Sequence, residues 1–198
     1  MVRLLLVPLS LLVALPAAAQ DAEVTNPCGT GKVACRHIDS IRLQSADGEE
    51  QILTANLDFP WVAEGNIILV PGDSVTVRLV PDGAEFTPVL VRFGPASAAT
   101  KPGPGEIRFT VQPSDHGKQV MVAESNYPGM IDYGALIATV RGGPERTSVC
   151  TLEPGKPVYE MWQDPIYQFA LMHFVATTEP GCKTLHWGQE PVLVRNPD

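Results

Sequence analysis

Ser74-Val-Thr-Val-Arg-Leu-Val80 is the stretch that decides the fold class. Apolar and polar residues alternate along it, so Val75, Val77 and Leu79 are expected on one face and Thr76 and Arg78 on the other, the period of a half-buried strand. Pro71-Gly72-Asp73 before it and Pro81-Asp82-Gly83 after it supply turn residues at both ends.

The same two-residue period recurs on either side. It predicts strands near Ile38–Gln44, Gln51–Leu57, Asn66–Val70, Val89–Phe93, Ile107–Val111, Gln119–Glu124, Tyr133–Arg141, Val158–Trp162, Ile166–Ala176 and Pro191–Arg195. Ala46-Asp47-Gly48 suits a hairpin between the first two. Many short strands with frequent turns, and no helical period after residue 19, indicate an all-β chain. The expected architecture is an antiparallel immunoglobulin-like β-sandwich, elaborated, with a disulfide-pinned C-terminal region. Gly94 to Gly105, with Pro95, Pro102 and Pro104, reads as a surface loop or a crossover between sheets. Gly142-Gly143-Pro144 marks a candidate seam near 142–146 within a single domain spanning 20–198.

The N-terminus carries an address. Arg3 precedes an apolar run from Leu4 to Leu15, and Ala17-Ala18-Ala19 follows, the pattern of a cleavable secretory signal over residues 1–19. That run is shorter than the roughly twenty apolar residues a membrane span requires, so no span is expected after cleavage. The expected location is the periplasm or the medium. Removal of the signal takes away Arg3 alone among charged residues, leaving 13 of 14 basic residues against 22 acidic ones. A scattered basic minority in an acidic chain argues against nucleic acid as a partner.

Four cysteines in an exported chain predict disulfides. Of three connectivities, Cys28–Cys35 and Cys150–Cys182 close local loops. On the loop-entropy model they contribute about 2.5 and about 3.7 kcal/mol.

Several segments resemble a pattern in small exported proteins of Gram-negative bacteria. They are Ala123-Glu-Ser-Asn-Tyr127 with Tyr133-Gly-Ala135, and Thr147-Ser-Val-Cys150 followed by Pro154-Gly155, Tyr159-Glu160, Trp162, Pro165-Ile166 and Phe174. The resemblance covers the C-terminal half and implies a bacterial envelope location; it brings no catalytic residue or ligand with it.

The chemistry-bearing residues are sparse. Cys182-Lys-Thr-Leu-His186 has the look of a cupredoxin copper loop, yet no methionine follows His186, and a disulfide would consume the Cys182 sulfur. Cys35-Arg-His37 is a weaker form of the same pattern. His116 stands beside Asp115 in a turn, and His173 lies in an apolar strand whose Phe169, Leu171 and Val175 describe packing, so His173 is expected at an edge or in the core. Gly29-Thr-Gly-Lys-Val-Ala34 lies between two cysteines and opens no helix, which removes it as a dinucleotide fingerprint. Ser114-Asp115-His116 cannot form a relay from adjacent positions. Of the aromatic residues near strand ends, Tyr127, Trp162 and Trp187 are the candidate partner surface.

The function expected from these features is a non-enzymatic exported β-sandwich that binds an envelope protein or glycan, with no cofactor. The rivals are a copper- or zinc-handling protein using His186 with another of His37, His116 and His173, and an exported hydrolase whose histidine and carboxylate side chains converge only in three dimensions.

Overall fold

The computed structural model describes residues 27–45, 47–113, 115 and 117–184. The described chain is all-β and antiparallel. Its strands are β1 (Cys35–Gln44), β2 (Glu50–Pro60), β3 (Val62–Ala63), β4 (Asn66–Leu69), β5 (Asp73–Asp82), β6 (Glu85–Pro95), β7 (Glu106–Val111), β8 (Gln119–Ser125), β9 (Met130–Thr139), β10 (Pro144–Thr147), β11 (Val149–Cys150), β12 (Pro157–Trp162), β13 (Ile166–Thr177) and β14 (Cys182–Lys183). Each predicted strand has its counterpart here except Pro191–Arg195, which lies outside the described residues, as does the signal at 1–19.

Ten strands form one hydrogen-bonded path, β10-β9-β13-β6-β5-β7-β8-β12, with β4 on β13 and β3 on β4. The link between β13 and β6 is a single pair, Phe174 with Phe86. At that corner the path divides into two layers that close over one core. Val75, Val77 and Leu79 of β5, Ile107 and Phe109 of β7, and Met121 of β8 meet Ile67 and Leu69 of β4, Tyr133 and Ile137 of β9, and Phe169, Leu171 and Phe174 of β13. The rings of Tyr133 and Phe174 stack at 5.9 Å, and the Phe109 ring meets Tyr133 edge-on at 5.4 Å.

The β1–β2 hairpin covers the outer face of the β9–β13 layer. Ile38, Ile41, Leu43 and Phe59 pack with Val70, Ile68 and Tyr167. A register shift between Ile38 and Ser40, with Asn56 in the left-handed region at φ 45°, lets Ile38 and Ile41 face the same way although they differ in parity. The bulge keeps the hairpin's apolar face continuous.

Two local expectations are met and sharpened. Thr76 is buried on the far face of β5, because Arg92 and Arg108 flank it in the ladder and their long side chains cover it. Of the two readings of the 94–105 link, the surface loop holds and the crossover between sheets does not: β6 and β7 both pair with β5, so the connection passes across the end of β5. At the candidate seam, Gly142 and Gly143 form the turn of the β9–β10 hairpin, and Pro144 pairs with Ala138 at once. The C-terminal part is pinned as a separate two-stranded sheet, β11 with β14.

The disulfides are Cys28–Cys35 and Cys150–Cys182. They point to an oxidising, extracytoplasmic compartment. Among the described residues no helix is long and apolar enough to cross a membrane.

Candidate functional site

The outer face of the β5–β12 layer has no covering hairpin among the described residues. Directly opposed residues in an antiparallel ladder share a face, so register alone assigns it. Arg78 with Glu106, Thr76 with Arg108, Arg108 with Glu124, Thr110 with Val122, Val122 with Tyr159, and Val120 with Met161 all point outward. The middle is charged. Glu106 accepts from Arg92 at 2.6 Å and from the Gly103 N–H at 2.8 Å, with Arg78 at 3.6 Å, and Arg108 pairs with Glu124. The Gly103 hydrogen bond first, then Arg92, holds the Glu106 carboxyl below the usual range.

Beside this ladder the face turns apolar. Tyr159 is 66 % and Met161 58 % exposed on β12, with Val120 and Val122 half-buried next to them on β8. β12 ends the hydrogen-bonded path, so its far side presents backbone donors and acceptors without a strand partner among the described residues.

The aromatic residues chosen from sequence lie elsewhere. Trp162 opposes Gln119 and turns inward, its ring 5.2 Å from Phe169 and its Nε1 donating to Thr147 Oγ1 at 2.8 Å. Tyr127 follows the other end of β8 and packs edge-on against Phe86 at 5.6 Å. Tyr127 and Trp162 thus sit at opposite ends of β8, about 25 Å apart at strand rise, and form no common surface. Trp187 lies outside the described residues. Tyr159 is the ring that reaches solvent, because it stands three positions from Trp162 and therefore on the other face of the strand.

A second feature lies at the β6–β13 corner. A cleft of about 280 Å³ is lined by Glu64, Asn66, Asp82, Glu85, Thr87 and His173 among others. His173 shares its Nδ1 with both oxygens of Glu85 at 3.2 Å, and Thr87 Oγ1 donates to Asp82 Oδ2 at 3.2 Å. His173 and Glu64 both hold left-handed backbone at φ 50°, an uncommon state for side chains of their size. The cause at His173 is a register shift in β13 between Met172 and Val175. That shift also reverses the expected facing, so Phe174 enters the core in place of Val175.

His37 is a surface residue, its Nδ1 2.9 Å from Asp58 and its Nε2 3.2 Å from Asp39. The Asp58 hydrogen bond raises its pKa above the usual value. His116 and His186 lie outside the described residues. Among the described residues no group of three or more His, Cys, Asp or Glu side chains is placed to hold a metal ion.

A buried ion pair ties the hairpin to the larger sheet. Arg36 Nη2 donates to Asp73 Oδ2 at 2.6 Å, that oxygen also accepts the Val70 N–H at 2.7 Å, and the guanidinium lies 3.8 Å over the Trp61 ring. Burial pushes the Asp73 carboxyl up to about 6, outweighing the pull of Arg36 in the other direction. Burial likewise lowers the Arg36 pKa. No periodicity or spacing in the sequence links residues 36, 61 and 73.

No family model, curated protein or solved structure matches this chain.

Proposed function

We propose that the chain is a non-enzymatic module, exported to the periplasm or secreted, that binds another protein of the bacterial envelope along the edge and outer face of β12. The observation that carries this reading is the combination of Tyr159 and Met161, exposed side by side in register, with the unpartnered far edge of their strand. An extended partner segment would take main-chain hydrogen bonds from that edge and lay apolar side chains on Tyr159 and Met161. A protein fits better than a glycan, since among the described residues Trp61, Trp162 and Tyr127 pack inward and do not offer a sugar platform. The resemblance of the C-terminal half to exported Gram-negative proteins agrees with an envelope location. The leader at 1–19, a mature chain of one domain from Gln20, and an immunoglobulin-like class of sandwich belong to the same proposal, the last resting on two antiparallel layers facing one core.

The test is a photoreactive phenylalanine analogue placed at position 159 and, as a control, at Val89 on the same face. A discrete adduct is expected from 159 alone, lost in Met161→Lys at unchanged melting temperature. No adduct at 159, or identical adducts from both sites, overturns the reading.

The hydrolase alternative gains one observation, the pairing of His173 with Glu85 in an open cleft. A carboxylate on Nδ1 fixes the tautomer and orientation of the imidazole, as a general base requires. The cleft's hydroxyl, Thr87, is already engaged by Asp82, so water would be the nucleophile. Ester and amide hydrolysis indistinguishable between wild type and His173→Ala would exclude it. The metal-handling alternative loses Cys182, whose sulfur is bonded to Cys150.

A further inference from the structure

The Cys150–Cys182 bond spans β11 and β14, a sheet of only two residue pairs, Val149 with Lys183 and Cys150 with Cys182. Of the four cysteines Cys182 alone is exposed, while Cys28, Cys35 and Cys150 are half-buried. Behind Cys150 stands Glu160, which register turns into the protein between Val158 and Trp162. One of its oxygens accepts the Cys150 N–H, and the other lies 4.0 Å from Cys150 Sγ. A carboxyl buried against a sulfur on the inner side, with the partner cysteine exposed, is the arrangement a directional thiol exchange needs.

We propose that Cys150–Cys182 is a reactive disulfide, opened by an external thiolate that attacks Cys182 while Glu160 delivers a proton to the departing Cys150 sulfur. The incoming thiolate's electron pair makes the new bond to Cys182 Sγ. The Cys150–Cys182 bond breaks with its pair on Cys150 Sγ, which takes the Glu160 proton. The products are a mixed disulfide on Cys182, a Cys150 thiol and a Glu160 carboxylate. With a dithiol as the reductant, its second thiolate displaces Cys182, so both cysteines end reduced and the dithiol ends as a disulfide.

Three features support the step. Burial raises the Glu160 pKa, so its proton is retained to higher pH than in an ordinary glutamate. The groups presented toward it from packed elements are Tyr133 on β9 and the Cys150 N–H and sulfur on β11; its β8 neighbours Gln119 and Met121 are uncharged. The Tyr133 hydroxyl is fully buried and has no hydrogen-bond partner among the described residues, and Glu160 pushes its pKa higher still. Opening is local, because β14 stays docked: Lys183 Nζ holds Asp132 at 2.5 Å and the Thr151 N–H donates to Gly181 O at 2.9 Å.

The experiment treats the folded protein, both disulfides intact, with dithiothreitol and separately with glutathione, followed by pulsed alkylation and peptide mapping. Cys150–Cys182 should open at least about tenfold faster than Cys28–Cys35, with native near-ultraviolet dichroism retained, and glutathione should be found on Cys182. At constant thiolate concentration the opening should accelerate as pH falls and Glu160 gains its proton, and Glu160→Gln should remove that dependence. Equal rates for the two bonds, or glutathione on Cys150, overturn the proposal on wild-type protein alone. An unchanged pH profile in Glu160→Gln overturns the role of the carboxyl.

Discussion

Replacing Asp73 with Asn should remove a pH-dependent component of stability whose sign is opposite to that of an ordinary surface ion pair. The Asp73 carboxyl moves from 3.8 to about 6 on folding. At about 1.4 kcal/mol per pKa unit this is about 3 kcal/mol of extra proton affinity in the folded state. A folded state that binds the proton more tightly holds more protons than the unfolded chain between those two values, so stability falls as pH rises. The contribution is fully present below 3.8 and is lost as pH passes about 6. Asn in this place keeps an oxygen to accept from Arg36 and the Val70 N–H, yet it cannot titrate. The assay is urea unfolding of both proteins from about pH 3.5 to about pH 7, disulfides intact. The difference in unfolding free energy, wild type minus Asp73→Asn, should decline by about 3 kcal/mol across that range. Any constant cost of leaving Arg36 beside a neutral partner cancels in this change. A flat difference, or one that grows with pH, would refute the reasoning and show that pairing with Arg36 outweighs the loss of solvent.

Val77 is wholly buried between the layers, so Val77→Asp should cost more than about 3 kcal/mol in denaturant unfolding, and a wild-type midpoint would mean the β5 facing is wrong. Phe174→Ala removes a fully buried ring at the one β6–β13 ladder pair among the described residues and should cost about 3–5 kcal/mol, against a much smaller loss for Phe93→Ala at a ring 54 % exposed; similar melting of the two variants would contradict this. Gly72 holds φ 92° with open space around it, so Gly72→Ala should cost about 1–2 kcal/mol through backbone strain alone. Gly94→Ala, likewise unobstructed and without a positive φ, serves as the control and should melt close to wild type.

The strand pattern was legible because a strand's facing is local: Val75, Val77 and Leu79 alternate with polar neighbours, and burial of one face follows from the two-residue period. β12 shows where that logic stops. Its two faces, Val158-Glu160-Trp162 and Tyr159-Met161, are comparably apolar by composition, and only the arrival of Cys150 N–H at Glu160 and Thr147 Oγ1 at the Trp162 indole makes the first of them affordable inside. The tryptophan therefore turned inward and the tyrosine outward, reversing the surface that aromatic content alone suggested.

What the sequence determined by itself is what depends on neighbours in the chain: strand period, turn residues, and cysteines close enough to close local loops. The tertiary structure alone decided that His173 meets Glu85, since the two are 88 residues apart and meet at a bulge that no alternation announces. It decided also that Arg36, Trp61 and Asp73 share one buried cluster. Burial and charge pairing are properties of the assembled layers, and groups distant in the chain acquire them only when non-local strands pair.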